Sequence, residues 1–593
     1  MENLRRLAGL TCCVAGLLAF LSLAADALEG SKAGPGDPAP LERIGSKWPY
    51  PMSGSPPVSS SGMIATDAAL ATNVGADVIL AGGNAVDAAV AIAFALAVVH
   101  PRAGNLGGGG FAIVRTVDGK LAALDFREKA PLAASRDMYL DENGDVSEES
   151  VTGHLASGVP GTVAGLWALH QRYGSTDWDA LLAPAIDLAD HGFVADTSFC
   201  SAIRNEADRL MRYPASARLL LPNGEAVEPG ARWANPDLAA TLRRIAESGP
   251  KDFYEGETAD LIVAEMESGG GLITHEDLNY YEPRWREPIT FKYRGCTVVS
   301  MPPPSSGGLT LALIAHILEG YDLAGLGWHS VEALHLTAEA MRRGFAYRNY
   351  YLGDPDFVKM PYDLFLSKEH AAELRSTISP DRATPSADVS PGGGDDGTEG
   401  MNTTHFSIAD ALGNTVALTT TLNLSFGSAV TVDGAGFLLN NEMDDFAAKP
   451  GAPNAFGLVQ SEANAIAPGK RMLSSMTPTI VVKGELPLLV TGASGGPRII
   501  SGVFQVMSNV IDYGFGVVEA VNAPRIHHQH LPDRIQYERG GLTDSQIEGL
   551  RAMGHEVVPR DGRIAVAASI LRRGVYWTGA PDPRLGGSAS GPE

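Results

Sequence analysis

The sequence predicts an α+β fold in which layers of β-sheet are covered by helices. Two strand-like runs, 403–409 and 415–422, are joined by the hairpin signal Leu412-Gly413-Asn414, and a further pair straddles Lys483-Gly484-Glu485. Helical patterns dominate from about residue 150 to 350, so strands and helices gather in separate stretches of two halves of the chain. That distribution favours covered sheets over a regularly alternating parallel barrel.

Taken from the N-terminus, Arg5 and Arg6 precede an apolar run over 7–24 that ends in Ala25-Asp26-Ala27, which fits a secretory signal cleaved after Ala27. The run approaches spanning length, so an uncleaved anchor is the competing reading. An exported, periplasmic or secreted, protein is expected. Residues 28–61 are rich in Pro, Gly and Ser and read as a leader with little regular structure. Folded sequence then begins, with a helix over 67–80 that stops at Gly82-Gly83 and an Ala-rich helix from Asn84 that stops before Pro101. Gly107 to Gly110 precede a strand over 111–114; no Lys-Ser or Lys-Thr follows them as a phosphate loop needs, so close backbone packing is expected. Met301-Pro302-Pro303-Pro304-Ser305-Ser306-Gly307-Gly308 is a turn-rich loop, and 377–402, with Pro380, Pro385, Pro391 and a Gly-Asp run, is expected to be flexible. A helix over 499–511 follows Gly495-Gly496-Pro497.

With 593 residues, 45% hydrophobic and 19% charged, the chain can bury a large core and exceeds the usual size of one domain. Its 45 Lys and Arg against 69 Asp and Glu give a formal net charge of -24, which argues against nucleic acid or anionic membrane surfaces as partners. Beyond residue 27 only Cys200 and Cys296 remain, too few for a disulfide scaffold; one bridge or two unpaired core thiols are both open. No Cys/His spacing matches a zinc site. His527-His528-Gln529-His530 is the nearest approach to one, but neighbours in a loop rarely converge on an ion, and no metal is expected.

The most informative stretch is Asn402-Thr403-Thr404-His405-Phe406-Ser407, where the Gly- and Asp-rich run gives way to a strand. If the Asn402–Thr403 bond breaks, Thr403 carries a hydroxyl nucleophile and a free α-amine together. An amide nitrogen is not basic, whereas an α-amine has a pKa of about 7.7 to 8.0, so the uncut precursor lacks the base and the chain reads as a zymogen. Gly495 and Gly496, just ahead of a helix N-terminus, are placed to offer backbone N–H groups to a developing oxyanion.

The NTTHFS junction, LLNNEMDDF from Leu438, RMLSSMTPTIV from Arg471 and TGASGGPRII from Thr491 resemble the γ-glutamyltransferases. GGNAVDAAVA from Gly82, LDFREKAP from Leu124 and MPPPSSGG from Met301 match the larger subunit of that family, and the match runs from about residue 60 to the end. The resemblance implies an N-terminal-nucleophile hydrolase fold, a four-layer αββα sandwich cut by itself into a large chain (62–402) and a small catalytic chain (403–593) that stay together. It implies Thr403 as nucleophile, Thr421 as its hydroxyl partner, and Arg127, Ser474 and Ser475 as ligands of the substrate α-carboxylate. Asn423, Glu442 and Asp445 would hold the α-ammonium. The activity implied is γ-glutamyl transfer and glutathione hydrolysis through a Thr403 ester, with water, amino acids or peptides as acceptors and no cofactor.

A cephalosporin or glutaryl amide acylase on the same scaffold is the second reading; Asp445 speaks against it, because glutaryl substrates carry no ammonium. A secreted binding protein with relic residues is the third. One departure stands out: the lid loop over 450–460 carries Phe456 where the family often has a Tyr that bonds the Asn matched by Asn423.

Overall fold

The computed structural model describes residues 40–389 and 403–592. The expected signal segment 1–27, residues 28–39 of the expected leader, residues 390–402 and with them Asn402 of the expected cut site lie outside the described residues.

Two seven-stranded sheets lie face to face. In the first, strand Thr403–Asp410 is central, paired antiparallel with Gly62–Thr66 on one side and Thr415–Thr421 on the other; Gly109–Arg115, Leu121–Phe126 and Arg284–Arg286 continue the sheet. The second runs from Val58–Ser59 through Tyr576–Ala580, Ser569–Arg573, Leu486–Thr491, Thr479–Lys483 and Cys296–Ser300 to Ile289–Tyr293. Period-2 alternation sorts the side chains. Ile64, Ala112, Val114, Phe406, Ile408, Val416 and Leu418 pack against the helix Ala85–Val99. Met63, Ala65, Phe111, Ile113, Ala409 and Ala417 join the core shared with the second sheet and with helices Gly307–Leu318 and Arg498–Ile511. Helix, sheet, sheet and helix thus form the four expected layers of an N-terminal-nucleophile hydrolase fold.

Local chemistry explains the element ends. Asn84 caps its helix by accepting from the N–H groups of Val86 and Asp87, with Asp87 closing a capping box. The Gly107–Gly110 run packs as expected: a Cβ at Gly108 would meet the Thr421 carbonyl oxygen at 2.1 Å, and one at Gly110 the Thr419 oxygen at 2.4 Å. The region 150–350 is less uniformly helical than its pattern suggests, because Ile289–Tyr293 and Cys296–Ser300 are strands at the second sheet's edge. Cys200 and Cys296 are both buried and unpaired.

Two expectations of weak order need correction. From residue 40 the leader is docked: Asn522 donates to the Pro51 carbonyl at 2.6 Å, Met52 packs with Trp328, and Val58–Ser59 pairs with Trp577 and Thr578. Of the expected flexible segment 377–402, residues 377–389 are held by polar side chains from elsewhere, with Ile378 buried in the core shared with the second sheet. Arg343 donates to Thr377 Oγ1 at 2.8 Å, Thr384 N–H donates to Glu339 at 3.1 Å, and Ser386 is bonded to Arg342 and Asp533. Burial alone would raise the Glu339 carboxyl, yet Arg342, Thr384 and Arg343 hold it down at about 2.

Glu339→Ala would strand Arg343 as a buried charge, while Arg342 keeps its pair with Asp533, and stranding one buried charge typically costs about 3–5 kcal/mol. Urea unfolding should report that loss, and limited proteolysis should find new cuts within 377–389. An unchanged midpoint with no new cuts would remove the clamp from the account.

Candidate active site

Strand register places the nucleophile candidate. Thr403 opens its strand opposite Thr421, the last residue of the neighbouring one, and both hydroxyls share the face between the sheets. Their oxygens are 3.3 Å apart, and Thr421 Oγ1 also accepts the Asn423 N–H at 2.8 Å. Among the described residues, Thr421 is the one hydrogen-bond partner of the Thr403 hydroxyl. His405, two residues on along the same face, is bonded to Thr419 and Ser407 instead, and burial lowers its pKa to about 3, so it stays neutral. Asn423 adopts φ 75°, a left-handed conformation that Asn tolerates, and its side chain donates to the Asn441 carbonyl at 2.9 Å.

Arg127 follows the strand Leu121–Phe126 and is fully buried. Its guanidinium bonds Glu442 through one Nη and Asp445 through the other, while Nε donates to the Met472 carbonyl at 3.3 Å. Glu442 and Asp445 come from one 3₁₀ turn, Glu442–Asp445, so a single short element presents both acids to one fork. Glu128 lies 3.6 Å from Arg127, buried, with neither oxygen hydrogen-bonded.

Ser474 and Ser475 are shaped by the Met301–Gly308 loop. Ser306 N–H and Oγ–H both donate to the Ser474 carbonyl at 2.7 Å, and Ser305 Oγ–H donates to the Met476 carbonyl at 2.6 Å. Gly495 and Gly496 take φ 137° and 58°, and among the described residues neither N–H donates in a turn, loop or cap hydrogen bond. A Cβ at Gly496 would meet the Phe456 ring at 2.6 Å, so only glycine lets the lid ring close on this turn. The lid is strapped from the His527–His530 stretch: Gln529 Nε2 donates to the Gly457 carbonyl at 3.1 Å. The three histidines of that stretch turn to different partners, Ser501, Asp533 and the Ser386 carbonyl, and form no shared ligand set.

Arg127, Thr403, Thr421, Asn423, Glu442, Asp445, Ser474, Ser475, Gly496 and Phe456 line one cavity of about 20 Å³, roughly the room for one water. Gly495 is not among the lining residues. The site is closed by its own ion pairs and by the lid ring. A larger cavity of about 590 Å³ lies at the far end of the same strand, by Asp410 and Leu412, and holds none of the site residues expected from the sequence. Sequence reasoning overlooked Arg348, which donates to Ser475 Oγ at 3.2 Å. Its signal is a charged residue in phase with the buried positions 341 and 345 of a helix.

The γ-glutamyltranspeptidase family model matches residues 71–591. The chain belongs to that family. It is 46% identical over 543 residues to a glutathione hydrolase proenzyme of Pseudomonas sp. (strain A14), covering 91% of this chain and 92% of that one. A glutathione hydrolase proenzyme of Escherichia coli (strain K12) is 45% identical over 528 residues, 89% of this chain and 91% of the relative. Among solved structures, a cephalosporin acylase from Bacillus halodurans matches with TM-score 0.81 at 30% identity, covering 94% of this chain and 99% of that one.

In this γ-glutamyltranspeptidase-family chain the charge cluster sets the electrostatics. Seen from Arg127, Glu442, Asp445 and Glu128 outweigh burial and raise its pKa; seen from Glu442, burial and Glu128 outweigh Arg127 and raise that acid. Burial is the largest cause acting on all three carboxyls and raises each of them, Glu128 up to about 7, while the Arg127 guanidinium opposes the shift at every one.

On the opposite face of the nucleophile strand, Thr404 donates to Asp67 at 2.9 Å, and burial raises the Asp67 carboxyl from 3.8 to about 7 against that bond. The folded state therefore keeps a proton that the unfolded chain releases, and the stability this gives is present below 3.8 and lost as pH rises to about 7. Asp67→Asn removes the loss. The Tm of the variant minus that of the parent should climb between pH 3.8 and about 7 and then level off; a difference flat across that window would mean that Asp67 titrates normally.

Proposed function

We propose that this protein is an exported, self-processing γ-glutamyltransferase and glutathione hydrolase that acts through a Thr403 ester. The observation that carries the reading is a pocket beside Thr403 in which one buried cation, Arg127, faces two acids, Glu442 and Asp445, with two serine hydroxyls alongside. Such a pocket suits a zwitterion. The α-carboxylate of a γ-glutamyl group would take Arg127, Ser474 and Ser475, and its α-ammonium would take Asp445, Glu442 and Asn423, exchanging the internal ion pairs for ones to substrate.

Processing begins with attack of Thr403 Oγ on the Asn402 carbonyl; the Thr403 nitrogen leaves as an amine, and water opens the ester to give the Asn402 carboxylate. The α-amine so released is the base; among the described residues the Thr403 hydroxyl is bonded to Thr421, itself no base. In turnover the amine takes the Thr403 hydroxyl proton as Oγ attacks the γ-carbonyl, the Gly495 and Gly496 N–H groups meet the oxyanion, and Thr421 holds Oγ in line. Cysteinylglycine or another amine leaves with the proton. Water or the amino group of an amino acid or peptide then accepts the acyl group. The large chain, ending at Asn402, and the small chain remain one heterodimer, in a periplasmic or extracellular setting; among the described residues no helix is long and apolar enough to cross a membrane.

The likeness to a cephalosporin acylase gives a second reading, amide hydrolysis of glutaryl-type substrates. Asp445 separates the two.

Purified precursor should yield a small chain of 593 - 402 = 191 residues beginning at Thr403. Thr403→Ala should remain one chain without activity, as read by intact mass and γ-glutamyl anilide turnover; an uncut parent that turns over substrate would end the amine-base mechanism. Arg127→Lys keeps the charge but loses the bidentate fork, and should cost about 1.5–3 kcal/mol in kcat/KM while cleavage proceeds. Asp445→Asn should weaken γ-glutamyl turnover by about 2–5 kcal/mol and leave glutaryl turnover nearly unchanged. A parent enzyme equally fast on the two anilides would promote the acylase reading.

A further inference from the structure

Arg348 lies on the buried face of helix Val331–Tyr351, one layer behind the cavity wall. Its guanidinium donates to Ser306 Oγ at 3.1 Å, to Asn349 Oδ1 at 3.1 Å, to Gln460 Oε1 at 3.2 Å and to Ser475 Oγ at 3.2 Å. Every one of these acceptors is neutral. Arg127, by contrast, already faces three carboxylates. Burial lowers the Arg348 pKa to about 10, with Asp445 the charged group that opposes the shift, so at neutral pH the side chain is a cation without a bonded counter-charge among the described residues. A charge buried in that state is costly unless an anion comes to share it.

The direction of the hydrogen bonds shows where such an anion would sit. A serine hydroxyl has one hydrogen to give. Ser475 Oγ accepts from Arg348, so its own O–H is left to donate, and Ser475 lines the cavity. Ser474 Oγ accepts the Met476 N–H at 3.1 Å and is likewise left as a donor. Gln460 ties the arrangement to the opposite side of the pocket: its Oε1 takes the Arg348 bond while its Nε2 donates to the Asp445 carbonyl at 3.1 Å.

We propose that Arg348 is a positioning residue for the carboxylate of the donor substrate, fixing the Ser475 hydroxyl as a hydrogen-bond donor into the cavity and adding a second positive charge behind it. Arg127 and Arg348 then share the substrate's carboxylate charge, whereas the acids of the Glu442–Asp445 turn are left for the ammonium. The inference rests on the γ-glutamyl reading of the pocket and adds a residue that does not itself touch the substrate.

The test compares three anilides with the same scissile bond: γ-glutamyl, with carboxylate and ammonium; glutaryl, with the carboxylate alone; and 4-aminobutyryl, with the ammonium alone. Arg348→Gln should lower kcat/KM on the γ-glutamyl and glutaryl donors by about 10- to 150-fold, chiefly through KM, the range expected for one charge-assisted hydrogen bond. The 4-aminobutyryl donor should change by less than about threefold, within the worth of an uncharged contact. Self-cleavage to the Thr403 chain and the far-UV circular dichroism report the fold. If Arg348→Gln does not process, Arg348→Lys decides, since it keeps the charge and loses the fork; its loss should be smaller and confined to the two carboxylate donors. An equal loss on all three anilides, or none on any, overturns the role of Arg348. A parent enzyme that does not distinguish γ-glutamyl from 4-aminobutyryl anilide overturns the underlying γ-glutamyl reading as well.

Discussion

The site depends on the register between strands Thr403–Asp410 and Thr415–Thr421. Because side chains alternate, one residue of slip would turn the Thr403 hydroxyl from the space between the sheets toward the helix layer, where Thr404 now meets Asp67. The register is fixed from both sides. Phe406, Ile408, Val416 and Leu418 commit one face to the helix-side core, and the Gly107–Gly110 run admits the Thr419 and Thr421 carbonyls where any Cβ would collide. Hydrophobic burial and glycine sterics, remote from any chemistry, thereby determine which threonine faces the space between the sheets.

Around that fixed point the polar machinery is built from short, irregular elements. A 3₁₀ turn supplies both acids, the loop after strand Leu121–Phe126 supplies Arg127, and the Met301–Gly308 loop braces the serines. The rigid sheets carry little of the charge themselves. They bring together loops on which one guanidinium, Arg127, faces three carboxylates.

Much of this was legible in the sequence because patterns with physical causes are local. Hairpin 403–421, the helix from Asn84 and the glycine packing follow from periodicity and turn chemistry, whereas the residues gathered around Thr403 are reached through the resemblance to a family. What stayed hidden depends on partners far away in sequence. The strands over 289–300 are embedded among helices and gain their place from distant partners, Cys296–Ser300 by pairing with Thr479–Lys483 and Ile289–Tyr293 by pairing with Cys296–Ser300. Segments 40–61 and 377–389 have the composition of loose chain, yet Asn522, Arg342, Arg343, Glu339 and Asp533 hold them in place. The partner of Arg348 is hidden for the same reason, since nothing in Arg-Asn-Tyr-Tyr announces a serine 127 positions downstream.

The sheet order has a further consequence. Strands from before and after the Asn402–Thr403 bond interleave in both sheets: Gly62–Thr66 lies between Ser588–Ser590 and Thr403–Asp410, and Cys296–Ser300 adjoins Thr479–Lys483. Once that bond is broken, the two pieces can part only by dismantling each sheet through its middle, so dissociation and unfolding become one event. The reverse step changes order. Refolding of the precursor is a first-order process, whereas the severed pieces have to find each other by collision, which makes recovery concentration-dependent. The mature form would then owe its lifetime to the height of its unfolding barrier, as a kinetically trapped product of a fold that only the intact chain reaches readily.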